Sequence, residues 1–303
     1  MAVINFGSIN IDHVYQVDHF VQPGETLDTN DYQVLLGGKG ANQSIALANA
    51  GIEVLHVGCI NENDVQFKQA MIKQGINGRF IRCTEVPSGH AIIQVTPSGE
   101  NAIFLFGGAN REINSQDIGK AIASSNPDDW VLLQNETTGT AEVLAKSKAQ
   151  GLRVAFNPAP MTDDIKSLNF AHIDLLIVNE VEAAELSGQT DMPAIDAFFK
   201  QHFAHGEVII TLGKQGAKLL SPANAAGESE IMVPAFIVDA VDTTAAGDTF
   251  IGYFIAHYQQ YNQAKQALEF ACAASALAVT KAGAAQSIPK YAEVEAFLAQ
   301  QQK

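Results

Sequence analysis

Short apolar runs recur along this chain, and most are followed by a longer stretch in which apolar residues return every third or fourth position. Ala2–Phe6, Val54–Gly58, Trp130–Gln134, Arg153–Asn157, Leu175–Val178 and Val208–Thr211 are apolar almost throughout and end in glycine or a polar residue. Such runs are expected of strands buried on both faces. Gly40–Ala50, Asp64–Gln74, Ser115–Ala123, Thr138–Gln150, Glu180–Leu186 and Ala194–His202 carry the helical period. Strands and helices alternating at this length specify an α/β fold: a three-layer sandwich with a mostly parallel central sheet and helices on both faces.

Two stretches depart from that pattern. His13–Leu36 and Ser88–Phe106 alternate in polarity, as in Ala91-Ile-Ile-Gln-Val-Thr96, and the second carries the turn Pro97-Ser-Gly-Glu100. Alternation of period two predicts antiparallel strands with one face solvated or covered by a partner. They are expected to form a small β lid inserted at about 13–37 and 87–109 of one domain spanning 1–303. The sequence shows no internal repeat, low-complexity tract or linker.

With 303 residues, 47% of them hydrophobic and 17% charged, the chain can bury a large core. A net charge of −15 opposes binding to nucleic acid or anionic membranes, which requires clustered Lys and Arg. It does not oppose a nucleotide, which needs only local donors and a divalent ion. Cys59, Cys83 and Cys272 are isolated, without Cys-x-x-Cys spacing, and are expected to be reduced. With no basic, apolar leader at the N-terminus and no 18-residue apolar run, a cytoplasmic location is expected. Asn42-Gln-Ser44 and Asn135-Glu-Thr137 match the glycosylation sequon, which carries no meaning without secretion. The eight histidines form no His-x3-His pair.

The segment Asp242-Thr-Thr-Ala-Ala-Gly-Asp248-Thr-Phe250 is a small-residue turn running into the helical pattern Ile251–Tyr261. A helix beginning there would present free N–H groups and its positive dipole end to an anion. Ala245-Ala246-Gly247 would let that anion approach the backbone closely. Asp248, beside it, could accept a proton from an attacking hydroxyl. As a helix cap, the same residues would be unremarkable, since Asp and Thr are both favoured there. A Walker A sequence is absent. Gly38-Lys-Gly40-Ala-Asn-Gln43 only weakly resembles a dinucleotide fingerprint, because no buried strand of a first βαβ unit precedes it.

The nonapeptide resembles the C-terminal signature of the ribokinase family of sugar kinases. Pro23-Gly-Glu-Thr-Leu27, Tyr32 and Gly37-Gly-Lys-Gly-Ala-Asn-Gln-Ser44 resemble its N-terminal signature. Gly7-Ser-Ile-Asn-Ile-Asp12, Asn157-Pro-Ala-Pro160, Asn179-Glu-Val-Glu182, Thr211-Leu-Gly213 and Gly283 to Pro289 fall in the family's order, so the likeness extends over nearly the whole chain.

This resemblance implies transfer of the ATP γ-phosphoryl to a primary hydroxyl of a pentose, with D-ribose to D-ribose 5-phosphate as the expected reaction. Fructokinase, deoxyribokinase, nucleoside kinase and a non-catalytic sugar-sensing protein are the alternatives within the fold; a dehydrogenase is disfavoured. The resemblance assigns Asn10, Asp12, Gly38, Lys39, Asn42 and Glu136 to the sugar and Asp248 to general base. Ala245, Ala246 and Gly247 become the anion hole. Asn179, Thr211, Gly213, Gly216 and Gly247 go to ATP, and Glu182 to Mg2+ through its waters. A monovalent cation, expected to be K+, is assigned the Asp242 carboxylate, the carbonyls of Thr244, Ala278, Lys281 and Gly283, and the Ser287 hydroxyl. A homodimer through the β lid is also implied.

Overall fold

The computed structural model describes residues 1–222 and 229–301. Its strands and helices, in chain order, begin with β1 (Ala2–Phe6), β2 (Asn10–Gln16), β3 (Asp31–Gly37), α1 (Lys39–Asn49), β4 (Glu53–Asn61), α2 (Val65–Lys73), β5 (Asn77–Thr84), β6 (Gly89–Val95) and β7 (Asn101–Phe106). There follow α3 (Ser115–Ala123), β8 (Trp130–Gln134), α4 (Thr140–Ala149), β9 (Arg153–Asn157), β10 (Leu175–Asn179), α5 (Glu180–Ser187), α6 (Met192–His202) and β11 (Glu207–Thr211). The C-terminal part holds β12 (Ala217–Leu220), β13 (Glu230–Val233), α7 (Ala246–Tyr261), α8 (Ala264–Ala278) and α9 (Tyr291–Gln301).

The large sheet runs β13-β12-β11-β10-β9-β8-β1-β4-β5. It is parallel from β5 to β11, while β12 and β13 are added antiparallel at one edge. Successive side chains of a strand leave opposite faces, and this divides the core in two. Val3, Leu132, Ala155, Ile177 and Ile209 face one cluster, packed against α1, α7 and α8. Ile4, Val131, Val154, Leu176 and Val208 face the other, packed against α3, α4 and α6. Continuous apolar runs thus follow from the sheet being covered on both sides.

The lid is a separate four-stranded sheet of order β3-β2-β6-β7. Its outer pairings are antiparallel, but β2 and β6 run parallel. A parallel neighbour needs a crossover rather than a hairpin, and the chain supplies one by passing through β3, α1, β4, α2 and β5 between the two. The expected turn at residues 97–100 is present: Thr96 N–H donates to the Glu100 carbonyl at 3.0 Å, with Gly99 at φ 83°.

Two local features differ from the sequence expectation. β5 had no signal because it is an edge strand in which Arg79, Arg82 and Cys83 interrupt the apolar residues. Helix α7 begins at Ala246, ahead of the expected Ile251, because the small residues read as a turn wind into its first turn. The N-cap, Ala245, has the left-handed φ of 59° and contributes no side-chain cap. No helix among the described residues is long and apolar enough to cross a membrane.

Candidate active site

At the C-terminal edge of the parallel strands the chain forms two adjoining cavities. One, of about 220 Å3, is polar and is lined by Lys39, Asn179, Glu182, Ala245, Gly247 and Asp248 among others. The other, of about 500 Å3, is walled largely by apolar groups including Phe236, Val238, Phe250, Ala276 and Val279. Gly213 and Gly216 lie along its edge, and Thr211, Thr243, Ala246 and Gly247 border both spaces. The start of α7 therefore sits where a flat apolar ring and an attached polyanion would meet.

The backbone there is arranged to donate. Ala246 N–H makes a long bond of 3.3 Å to the Thr243 carbonyl, and Thr249 N–H donates to the Ala245 carbonyl at 2.8 Å. No protein acceptor is found among the described residues for the N–H groups of Ala245 and Gly247. Such unpaired donors at a helix start suit an anion.

Asp248, in the first turn of α7, is buried, and each carboxylate oxygen accepts an amide. Asn42 Nδ2 donates to Oδ2 at 3.0 Å and Gln43 Nε2 donates to Oδ1 at 2.9 Å. Both amides come from α1. That helix approaches α7 closely because Gly252 has no side chain; a Cβ there would collide with Ala46 and Leu47.

Lys39 opens α1 between three carboxylates. Burial works against its charge, but Asp248, Glu136 and Glu182 together outweigh that and raise its pKa. Burial pushes up the carboxyls of Glu136 and Glu182. Glu136 is restrained by a very short hydrogen bond from the Ser8 hydroxyl and accepts Lys39 N–H at 3.2 Å. Asn179 and Glu182 cap α5 reciprocally: Asn179 Oδ1 accepts Glu182 N–H at 2.8 Å and Glu182 Oε2 accepts Asn179 N–H at 2.9 Å.

Asn10 and Asp12 reach the same region on the lid strand β2. The Asn10 side chain is fixed by Asn110, whose Nδ2 donates to its Oδ1 at 2.7 Å. Burial, and then the charge of Glu136, push the Asp12 carboxyl up to about 6. Gly38, the N-cap of α1, has φ 93° and lies so near the Asn10 N–H and Ser8 that no side chain fits.

Behind the turn, the segments 242–244 and 278–287 are joined. Asp242 Oδ2 accepts Gly283 N–H at 2.8 Å, Oδ1 accepts the Thr244 N–H at 2.9 Å and hydroxyl at 2.6 Å, and Val241 N–H donates to the Val279 carbonyl at 2.7 Å. Although burial opposes it, these bonds to Thr244 and Gly283 lower the Asp242 pKa. The Ala278 carbonyl accepts Lys281 N–H at 3.1 Å and the Ser287 hydroxyl donates to the Ala284 carbonyl at 2.8 Å.

The residues expected from sequence thus fall into neighbouring groups around Asp248. Sequence reading gave no role to Gln43, Asn157, Thr243 or the apolar wall of the larger cavity. The Gly-Gly-Lys-Gly-Ala-Asn-Gln run was the only signal for Gln43, and nothing local marks Phe236 or Val238.

A buried carboxylate next to free helix N–H groups, with an apolar slot adjoining it, is an arrangement suited to phosphoryl transfer. A family model described as pfkB family carbohydrate kinase matches residues 2–291. The chain is 38% identical over 306 residues to the ribokinase of Haemophilus influenzae, with 96% of each chain covered. It is 37% identical over 317 residues to the ribokinase of Schizosaccharomyces pombe, covering 97% of this chain and 96% of that one. The structure of Arabidopsis thaliana ribokinase complexed with ribose and ATP superposes with a TM-score of 0.87 at 28% identity, over 98% of this chain and 99% of that one. This chain belongs to the pfkB family of carbohydrate kinases and is an ATP-dependent sugar phosphotransferase.

Proposed function

We propose that the chain, acting as one kinase domain over 1–303, transfers the γ-phosphoryl of ATP to the primary hydroxyl of D-ribose, giving D-ribose 5-phosphate. The observation that carries this reading is the Asp248 carboxylate, gripped by Asn42 and Gln43 at the point where the polar cavity, the apolar slot and the start of α7 meet. The ribokinase relatives, and the ribose and ATP bound in the Arabidopsis protein, support ribose and ATP as the substrates.

In this reading Asn10, Asp12, Gly38, Lys39, Asn42 and Glu136 hold the sugar. Short polar groups and carboxylates can each take more than one hydroxyl. The adenine lies in the apolar slot, with Thr211, Gly213 and Gly216 at its edge, and the phosphates extend toward Asn179. Asp248 takes the hydroxyl proton as the oxygen attacks the γ-phosphorus in line and the bond to ADP breaks. Phosphoryl transfer of this kind needs positioning and charge stabilisation more than covalent help. Lys39 and the N–H groups of Ala245, Ala246 and Gly247 meet the phosphoryl charge; a single such donor is commonly worth roughly 10²–10³ in rate.

Mg2+ and K+ belong to this reading. No group of three or more His, Cys, Asp or Glu side chains that could hold a metal occurs among the described residues. That suits a magnesium ion carried by the nucleotide phosphates and its own waters, with Glu182 and Asn179 beside it. Magnesium, when bound, supplies neutralisation of phosphate charge. The all-oxygen set of Asp242, Thr244, Ala278, Lys281, Gly283 and Ser287 fits a hard monovalent cation, since Gly283 and Val279 tie the two segments together.

One face of the lid exposes Val34, Ile92, Phe104 and Phe106, and we assign this surface to a homodimer. The unpaired cysteines Cys59, Cys83 and Cys272 support a cytoplasmic location. The deciding experiment is a coupled assay of ADP release with D-ribose, 2-deoxyribose, fructose, adenosine and inosine. Preference for D-ribose is expected; equal or greater kcat/KM with a nucleoside or fructose would overturn the sugar assignment.

A further inference from the structure

Asp248 is the last member of a buried line of polar groups that runs back to a backbone carbonyl of β1's end, and the direction of every hydrogen bond in that line is determined. The Gly7 carbonyl can only accept, so His56 Nε2, 3.1 Å away, must carry the proton. Burial pushes the His56 imidazole down to about 4, so it is neutral, and its Nδ1 accepts from the Ser44 hydroxyl at 2.8 Å. Ser44 Oγ therefore accepts from Asn5 Nδ2 at 2.8 Å; the same Nδ2 donates to the Gly40 carbonyl at 2.8 Å, which independently fixes the orientation of that amide. Asn5 Oδ1 must then accept, and Gln134 Nε2 donates to it at 2.9 Å and to Gln43 Oε1 at 2.7 Å.

Gln43 is left with one arrangement. Its oxygen faces Gln134, so its Nε2 faces Asp248 Oδ1 at 2.9 Å and Asn157 Oδ1 at 3.4 Å. Asn157 is oriented in turn, because its Nδ2 donates to the Ile177 carbonyl at 3.0 Å. Asn5, Gln43, Ser44, His56 and Gln134 are all buried, so water cannot replace a misdirected amide. Gln134 Oε1 is the one atom of this line left buried without a partner, the cost of committing its nitrogen to two acceptors.

We infer that Gln43, oriented by Gln134 and Asn5, is a positioning residue that aims and holds Asp248 for proton abstraction, while Asn42 takes the other oxygen and the sugar. This rests on Asp248 being the base. The charged groups facing Asp248 are Lys39 from α1, Glu136 following β8 and Glu182 from α5, and none of them touches Gln43 in the hydrogen-bond network.

Gln43→Met keeps the length and removes the donor. The expected result is a fall in kcat of about 10- to 100-fold, as for a lost hydrogen bond to a charged group, with KM for ATP within about threefold. Gln134→Met, which touches neither substrate nor Asp248, should lower kcat by less, again with KM for ATP nearly unchanged, and it supplies the test if Gln43→Met does not fold. In an Asp248→Asn background, Gln43→Met should lower kcat no further. If Asp248→Asn is inactive while the folded Gln43 and Gln134 variants keep the kcat of the parent, the positioning role is wrong and the base assignment stands. If Asp248→Asn itself keeps its activity, the base assignment fails instead.

Discussion

Replacing Asp12 by Asn should stabilise the free protein and at the same time weaken its hold on sugar. Asp12 has its carboxyl pushed up from 3.8 to about 6 by burial and by Glu136. Between those values the native chain keeps a proton that the unfolded chain has already lost, so stability falls as pH rises through the window and the loss is complete above about pH 6. At 1.36 kcal/mol per unit the full shift corresponds to about 3 kcal/mol; Asp12 keeps partial solvent contact, which screens it, so about 1–3 kcal/mol is expected. Asp12→Asn removes the ionisation, so its gain should be present near pH 8 and shrink toward zero near about pH 4. Denaturant unfolding at both ends of that range measures it, with the slope m unchanged. The same variant should bind ribose at least about tenfold more weakly in titration calorimetry, as a charge-assisted acceptor is lost, with ATP binding close to the parent. A variant that is less stable than the parent near pH 8, or whose stability difference is the same at both pH values, would refute the reasoning.

Other expectations follow from the same site. Asp248→Asn should lower kcat by about 10²–10⁴ with ATP affinity nearly unchanged; retention of more than about a tenth of the parent kcat would sink the base assignment. Potassium should raise activity over tetramethylammonium at constant ionic strength and saturating magnesium, and Asp242→Asn should blunt the response; equal rates in the two salts would count against a functional cation site. Ala245→Gly should raise stability by up to about 1–2 kcal/mol, because alanine carries a steric penalty at φ 59° that glycine does not; thermal unfolding decides it, and a lower Tm would contradict the assigned strain. Sedimentation at micromolar concentration should show a dimer, and Phe104→Asp should release monomers; a parent that sediments only as monomer would remove the lid interface.

How much of this was legible depended on how local each signal was. β1, β8 and β9 were bounded correctly from sequence, because strands covered on both faces are mostly apolar and polar residues mark their ends or flanks. Edge strands β5 and β13 were not read, since their exposed residues break both periods, and β12, only four residues long with Lys218 inside it, was too short to carry one. The anion turn was visible as a run of small residues, but its Ala246 start was not, because nothing in Ala-Ala-Gly-Asp distinguishes a turn from the first turn of a helix. Gln43 showed least. On an amphipathic pattern it reads as a surface amide, and only the contact between α1 and α7, across 205 positions of sequence, turns it toward Asp248.

That contact also separates two jobs within one site. Asn42, Gln43 and Asp248 lie on helices packed into the core, where Gly252 fixes their spacing and Gln134 and Asn5 fix the direction of the amides. Asn10 and Asp12 are carried on β2, whose partners on both sides are lid strands. Under the proposed function, a change in lid orientation would therefore alter the grip on the sugar without moving Asp248 or the free N–H groups at the start of α7. Substitutions in the lid should act on sugar affinity, and those in the buried amide line on turnover, although the proposed function has both lines of residues serve the same hydroxyl.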